Sequence, residues 1–150
     1  MPQNPPKGYT RVTPYLYYKD VGAALDFITS VFGFTETVRM SGEDGVVNHA
    51  EVGLGGSPLM LGSPGEGYRS PKELGGTTQC VYVYVDDVDA HLEHARSKGA
   101  EIVRDVEDQF YGDRSYGAKD LEGHEWFFAT HVRDVSPEEM KAAMSGGVTT

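Results

Sequence analysis

The 150-residue chain predicts an α+β fold made of two tandem βαβββ modules. Three observations carry that prediction. Glycine is abundant, 19 of 150 residues against an average near 7%, and it punctuates short β-branched and aromatic runs. Each half of the chain holds one segment of helical period among strand-period segments. Residues also match across the two halves at a nearly fixed offset of 67, as a duplicated unit would.

The elements follow in order. Residues 1–9, MPQNPPKGY, are polar and proline-rich and predict a loose N-terminal arm. The run Val12 to Tyr18 predicts a strand. Val21, Leu25, Ile28 and Phe32 then form one apolar stripe of a helix, with Asp20 as its N-cap and Gly33 just past its end. Strands follow at about 34–41, 46–54 and 57–62, and residues 63–76 read as a linker loop. The order then begins again. Val81 to Val85 predicts a strand, and Val88, Leu92 and Ala95 mark a helix ending at Gly99. Strands are expected near 100–106, 114–120 and 124–131. Ser136, Pro137 and Glu139 stand at N-cap, N1 and N3 of a terminal helix near 137–144, with a frayed end beyond it. The organisation is thus an arm (1–9), a first module (10–76), a second module (77–133) and a C-terminal helix and tail (134–150).

The matches at offset 67 support the duplication residue by residue. Tyr17 falls on Tyr84, Asp20 on Asp87, Val21 on Val88, Ala23 on Ala90 and Leu25 on Leu92. Gly33 meets Gly99 after a one-residue deletion, and Gly56 meets Gly123 at the original offset.

Composition narrows function. Thirteen basic against 23 acidic residues give a net charge of −10, which opposes binding to nucleic acid or anionic membranes. A lone Cys80 allows neither an internal disulfide nor a cysteine-paired zinc site. No apolar run is long enough for a membrane span, so a cytoplasmic location is expected. No phosphate loop, dinucleotide fingerprint or nucleophile elbow is present.

Three strings, TPYLYYKDVGAALDFITSVFGF, VYVYVDDVDAHLEHARSKGAEIV and YGDRSYGAKDLEGHEWFFATHV, make the chain resemble the vicinal oxygen chelate superfamily of glyoxalases, bleomycin-resistance proteins and extradiol dioxygenases. The resemblance implies mixed sheets curled around a cleft, usually in a homodimer. In catalytic members it also implies a divalent metal, held near the start of the first strand and in the last strand of each module. Counted onto this chain, those positions hold Thr13, Met60, Cys80 and Phe127. Such a set offers no imidazole or carboxylate, so no metal and no other cofactor is expected.

If Thr13 and Cys80 face the cleft, period-two alternation turns Tyr15, Tyr17, Tyr82 and Tyr84 the same way, together with Met60 and Phe127. Leu16, Val81, Val83, Val85, Leu59, Leu61, Trp126 and Phe128 then face the helices. An aromatic-lined cleft suits a planar or cationic organic molecule. His49 and Glu51, at i and i+2 on a strand, share a face and with Glu125 are the weak catalytic candidates. His49 is as readily a structural histidine satisfied by a neighbour. His91 and His94 read as a solvated helix face, and His124 and His131 as structural or exposed. Asp113 and Arg114 read first as a surface pair, with capping of a ligand as the alternative.

The function expected is therefore metal-independent binding of an aromatic or cationic small molecule, as in drug-sequestering bleomycin-resistance proteins, which would make it an antibiotic-resistance protein. The alternative is a lyase- or dioxygenase-type enzyme around His49, Glu51 and Glu125, and a vestigial scaffold is a third reading.

Overall fold

The computed structural model describes residues 1–146. The chain divides into two compact units: Met1–Gln79 with Lys119–His124, and Cys80–Ala118 with the chain from Glu125 onward.

The first unit contains β1 (Tyr15–Tyr17), α1 (Val21–Phe32), β2 (Thr35–Ser41), β3 (Val47–Leu54), β4 (Ser57–Gly62) and a short α2 (Pro71–Leu74). Its sheet runs β1-β4-β3-β2, with β1 parallel to β4 and the other two pairings antiparallel. The Asp20 carboxylate accepts a hydrogen bond from the Ala23 amide at 3.0 Å, and Gly33 closes α1 in the left-handed region at φ 80°. The apolar stripe of α1 (Val21, Ala24, Leu25, Ile28, Val31 and Phe32) is buried with Ala50, Val52, Leu59 and Leu61 of the sheet. Each large side chain so buried contributes roughly 1.5–3 kcal/mol.

Three sequence expectations need correction in this unit. The first strand is only Tyr15–Tyr17, not Val12–Tyr18. Thr10 Oγ1 donates to the Val12 carbonyl and Thr13 Oγ1 to the Thr10 carbonyl, and these local bonds compete with a strand ladder. The linker is not all loop: Ser70 caps α2 from a complete capping box, with the Glu73 carboxylate reaching back to the Ser70 amide. The arm is not loose throughout, because the Tyr9 hydroxyl donates to the Glu51 carboxylate.

The segment Lys119–His124 completes this unit from a distant part of the chain. The buried Tyr18 hydroxyl donates to Asp120 at 2.6 Å, and the Lys19 and Asp20 amides donate to the Glu122 carboxylate at 2.7 and 2.9 Å. The Lys72 amide donates to the Glu122 carbonyl, and the His124 Nε2–H to the Tyr17 carbonyl. His124 is structural, as expected. At Gly123 (φ 91°) an added Cβ would lie 2.8 Å from the Lys72 amide nitrogen, so glycine is required there for both conformation and space.

The second unit contains β5 (Cys80–Tyr84), α3 (Val88–Ser97), β6 (Glu101–Asp108), β7 (Asp113–Lys119), β8 (Glu125–His131) and α4 (Pro137–Ser145). Its sheet runs β5-β8-β7-β6, with β5 parallel to β8. The strand order repeats that of the first unit. Tyr15 pairs with Met60 and Tyr82 with Phe127, so the register repeats at the offset of 67 as well. Its core is Val88, Leu92, Ala95, Tyr116, Trp126 and Phe128, with the last two rings stacked at 6.1 Å.

His91 leaves the solvated face expected of it. Its ring lies 4.3 Å from that of Phe128, with Nδ1 2.6 Å from the Tyr116 hydroxyl. At the start of α4, Ser136 accepts from the Glu139 amide, but the Glu139 carboxylate meets the Ser136 hydroxyl and leaves the capping box half made. The frayed end expected beyond α4 falls largely outside the described residues.

Candidate functional site: two tyrosine–carboxylate faces

Each sheet has a helix-covered face and a face bearing tyrosines. In the first unit the register Tyr15–Met60–Glu51 and Tyr17–Gly62–His49 places all six residues on one face. Tyr15 and Tyr17 are about half exposed, at 47% and 51%, and their rings meet edge to face at 5.6 Å. Gly62 leaves the room that Tyr15 occupies: a Cβ there would lie 2.3 Å from its hydroxyl oxygen.

The polar groups on this face form a chain. The buried Glu51 carboxylate holds the His49 Nε2 at 2.7 Å, and the His49 Nδ1 lies 3.0 Å from the Tyr15 hydroxyl. Tyr9 donates to the other oxygen of Glu51, and that bond raises the Tyr9 pKa. Glu51 and Tyr9 also line a cavity of about 580 Å³ with Lys7, Thr35, Val38 and Pro58. His49 and Glu51 thus do share a face, and His49 is both satisfied by its neighbours and joined to a tyrosine.

The second unit builds a comparable cluster from other residues. Tyr82 and Tyr84 are 41% and 60% exposed, with ring centroids 5.5 Å apart. Both hydroxyls donate to Asp113 Oδ2, at 2.7 and 2.9 Å. His131 Nδ1 meets Asp113 Oδ1 at 2.8 Å, and its Nε2 meets Asp134 at 2.7 Å.

Asp113 is therefore no surface partner of Arg114. It is buried at the start of β7, while Arg114 pairs with Asp89 and Asp108 instead. Burial by itself would raise the Asp113 pKa, but the bonds from His131, Tyr82 and Tyr84 hold it below the usual carboxylate range. Burial, followed by the hydrogen bonds to Asp113 and Tyr111, raises the pKa of Tyr82, and the bond to Asp113 raises that of Tyr84. The bonds to Asp113 and Asp134 raise His131.

Met60 and Phe127 are half-buried on these faces, but one side of Phe127 is already taken by the Arg104 guanidinium, 5.1 Å from the ring centroid. Glu125 pairs with Cys80 in the β5–β8 register and is no member of the Asp113 cluster.

Sequence reasoning missed Tyr9, His131 and Asp134, and it put Asp113 first with Arg114. Strand alternation offered one signal, since Phe127, Ala129 and His131 share a face of β8. No local pattern links Tyr9 to Glu51, 42 residues away.

The positions at which the superfamily's catalytic members hold a metal do not suit one here. In the first unit Thr13 and Met60 offer a hydroxyl and a thioether. In the second, Cys80 offers one thiol, while Phe127 offers no donor atom and already carries a cation on its ring. Among the described residues no group of three or more His, Cys, Asp or Glu is placed to hold a metal ion. No described helix is long and apolar enough to cross a membrane.

Two βαβββ units with the same strand order and register define the fold class, and the comparisons with known proteins give its family. Residues 9–128 match the Glyoxalase/Bleomycin resistance protein/Dioxygenase superfamily, and the chain belongs to that family. It is 36% identical over 139 residues to an uncharacterized protein of Mycobacterium tuberculosis strain H37Rv, covering 89% of this chain and 82% of that one. It is similar to the crystal structure of TioX from Micromonospora sp. ML1, with 35% identity and a TM-score of 0.67 over 82% of this chain and 99% of that chain. It shares its fold with a lactoylglutathione lyase from Agrobacterium tumefaciens at 21% identity and a TM-score of 0.60, over 84% and 95% of the two chains.

Proposed function

We propose that this protein binds a small aromatic or cationic organic molecule on its tyrosine faces, without a metal, and sequesters it unchanged. One observation carries the reading. Both sheets turn a pair of half-exposed, edge-to-face tyrosines outward beside positions unable to hold a metal. Tyrosine pairs supply flat apolar surface with a polar tip, as a planar ligand requires. The charge of −10 favours cations over anions. A cytoplasmic homodimer that withdraws a toxic drug, and so confers antibiotic resistance, is the setting that suits this activity.

A thermal-shift screen of planar aromatic and cationic compounds tests it. At least one compound should raise the melting temperature by several degrees. Tyr15→Ala, Tyr17→Ala or Tyr84→Ala should weaken its binding at least about tenfold while the variant stays folded. A broad screen without a single stabilising compound would sink the reading.

A second reading draws on the Tyr15–His49–Glu51 chain, in which Glu51 fixes the imidazole and Tyr15 supplies a proton at Nδ1. Under it the protein is a lyase- or dioxygenase-type enzyme, with Glu125 a further candidate. Turnover of glyoxalase- and dioxygenase-type substrates should then disappear in His49→Ala, and turnover that persists in this variant removes the role.

A further inference from the structure

The two tyrosine clusters have no sequence pattern in common beyond the tyrosines, yet their hydroxyls face the same constraint. A phenol has one proton to donate and two lone pairs that accept. Tyr82 and Tyr84 both spend their proton on Asp113 Oδ2. An ionised carboxylate only accepts, so neither bond can run the other way. Tyr9 spends its proton on Glu51 for the same reason.

Tyr15 follows by one further step. In the tautomer of His49 that carries its one proton on Nε2 toward Glu51, Nδ1 accepts and Tyr15 is the donor. Tyr17 differs, because its hydroxyl makes no hydrogen bond to a described residue and remains free to donate or accept. The raised pKa values of Tyr9, Tyr82 and Tyr84 agree with hydroxyls that stay protonated at ordinary pH.

We infer that Asp113 and Glu51 fix the hydroxyls of Tyr82, Tyr84, Tyr15 and Tyr9 as hydrogen-bond acceptors toward any ligand, so the ligand class is an aromatic molecule bearing N–H donors, such as an amide, amidinium or ammonium. Carboxylates and esters, which bring only acceptors at neutral pH, are turned away because each would set lone pair against lone pair. This is selection by hydrogen-bond polarity rather than by net charge. On the second face the Arg104 cation beside Phe127 works against attraction of cations, so a neutral N–H donor suffices there. The inference rests on the binding reading above and sharpens its ligand class.

Two neutral probes of similar size decide the matter: benzamide, which donates two N–H groups, and methyl benzoate, which only accepts. Their equal charge removes the bulk electrostatic field from the comparison. Titrations followed by NMR on the tyrosine ring signals of the whole protein should show benzamide binding about fivefold tighter or more, the value of one net hydrogen bond. Equal affinities, or a tighter ester, would overturn the inference and leave the binding reading standing. If neither probe moves a tyrosine signal, both fail together.

Asp113→Asn supplies an independent check, because an amide can donate to one tyrosine and release its proton toward the ligand. The preference for benzamide at the second face should then fall toward one. Should that variant not fold, Tyr84→Phe serves instead. It removes one acceptor, should cost benzamide about fivefold at that face, and should not weaken methyl benzoate. A benzamide preference that ignores both changes counts against the inference.

Discussion

The pKa values of Asp113 and His131 are shifted in opposite directions, and together they give the second unit a pH signature. The pKa of His131 is raised by its bonds to Asp113 and Asp134, so its contribution to stability is full below its ordinary value of about 6.5 and is lost as pH rises through the higher folded value. The pKa of Asp113 is lowered, so its contribution is present above about 3.9 and is lost as pH falls through the lower folded value. The bond between them is therefore at full strength between about pH 4 and pH 6.5. In thermal melts, the gap between wild type and His131→Asn should be widest near pH 5–6 and should narrow above pH 7. A gap that stays constant to pH 9 would show that His131 gives no charge-dependent support. His131 is about half exposed, so the effect is a moderate one that salt should weaken further.

Among the elements, the helix starts show how much a short pattern reveals and where it stops. Asp20 was legible as a cap, since it precedes an apolar stripe of helical period, and it and its repeat match Asp87 both accept from the amide three residues on. Two helices start on the string Ser-Pro-x-Glu, at 70–73 and 136–139. The second copy reads as a helix start because an apolar-spaced segment follows, whereas the first is followed within a turn by Gly75 and Gly76 and so reads as loop. The structure reverses their weight. The copy at Ser70 is buried and makes both bonds of the box, while that at Ser136 makes one. Ser70→Ala should therefore cost about 1 kcal/mol or more in urea denaturation, and Ser136→Ala distinctly less. Equal costs would mean that the second bond of the box adds nothing.

The alternation of strand faces was equally legible. It put the four tyrosines on the face opposite Trp126, Phe128, Leu59 and Leu61, because a half-buried strand reports its two faces at period two. What joins the faces into clusters was not. Asp113 looks like an ordinary loop acid beside Arg114 until β8 brings His131 to it, and Tyr9 looks like part of a free arm until β3 presents Glu51. Contacts at separations of 18 and 42 residues leave no trace in local composition.

For the whole molecule, the offset of 67 held the most information, because it survives as strand order, as register and as capping geometry. The repeat boundary nevertheless differs from the boundary of the compact units. Six residues from Lys119 to His124, inside the second repeat, belong to the first unit. They receive the proton of the buried Tyr18 hydroxyl and the amides of Lys19, Asp20 and Lys72. A fragment ending at Gln79 should consequently lack a cooperative thermal transition and should bind a hydrophobic dye, and a sharp two-state melt from it would contradict this assignment.

The same six residues bear on how such a chain is made. A ribosome releases the last piece of the first unit only after most of the second has emerged. The early half therefore waits in the exit path with an unmet tyrosine and three unmet amides. Any scheme that splits the gene at its repeat, for shuffling halves or for reporter complementation, would cut between a unit and its own final strap.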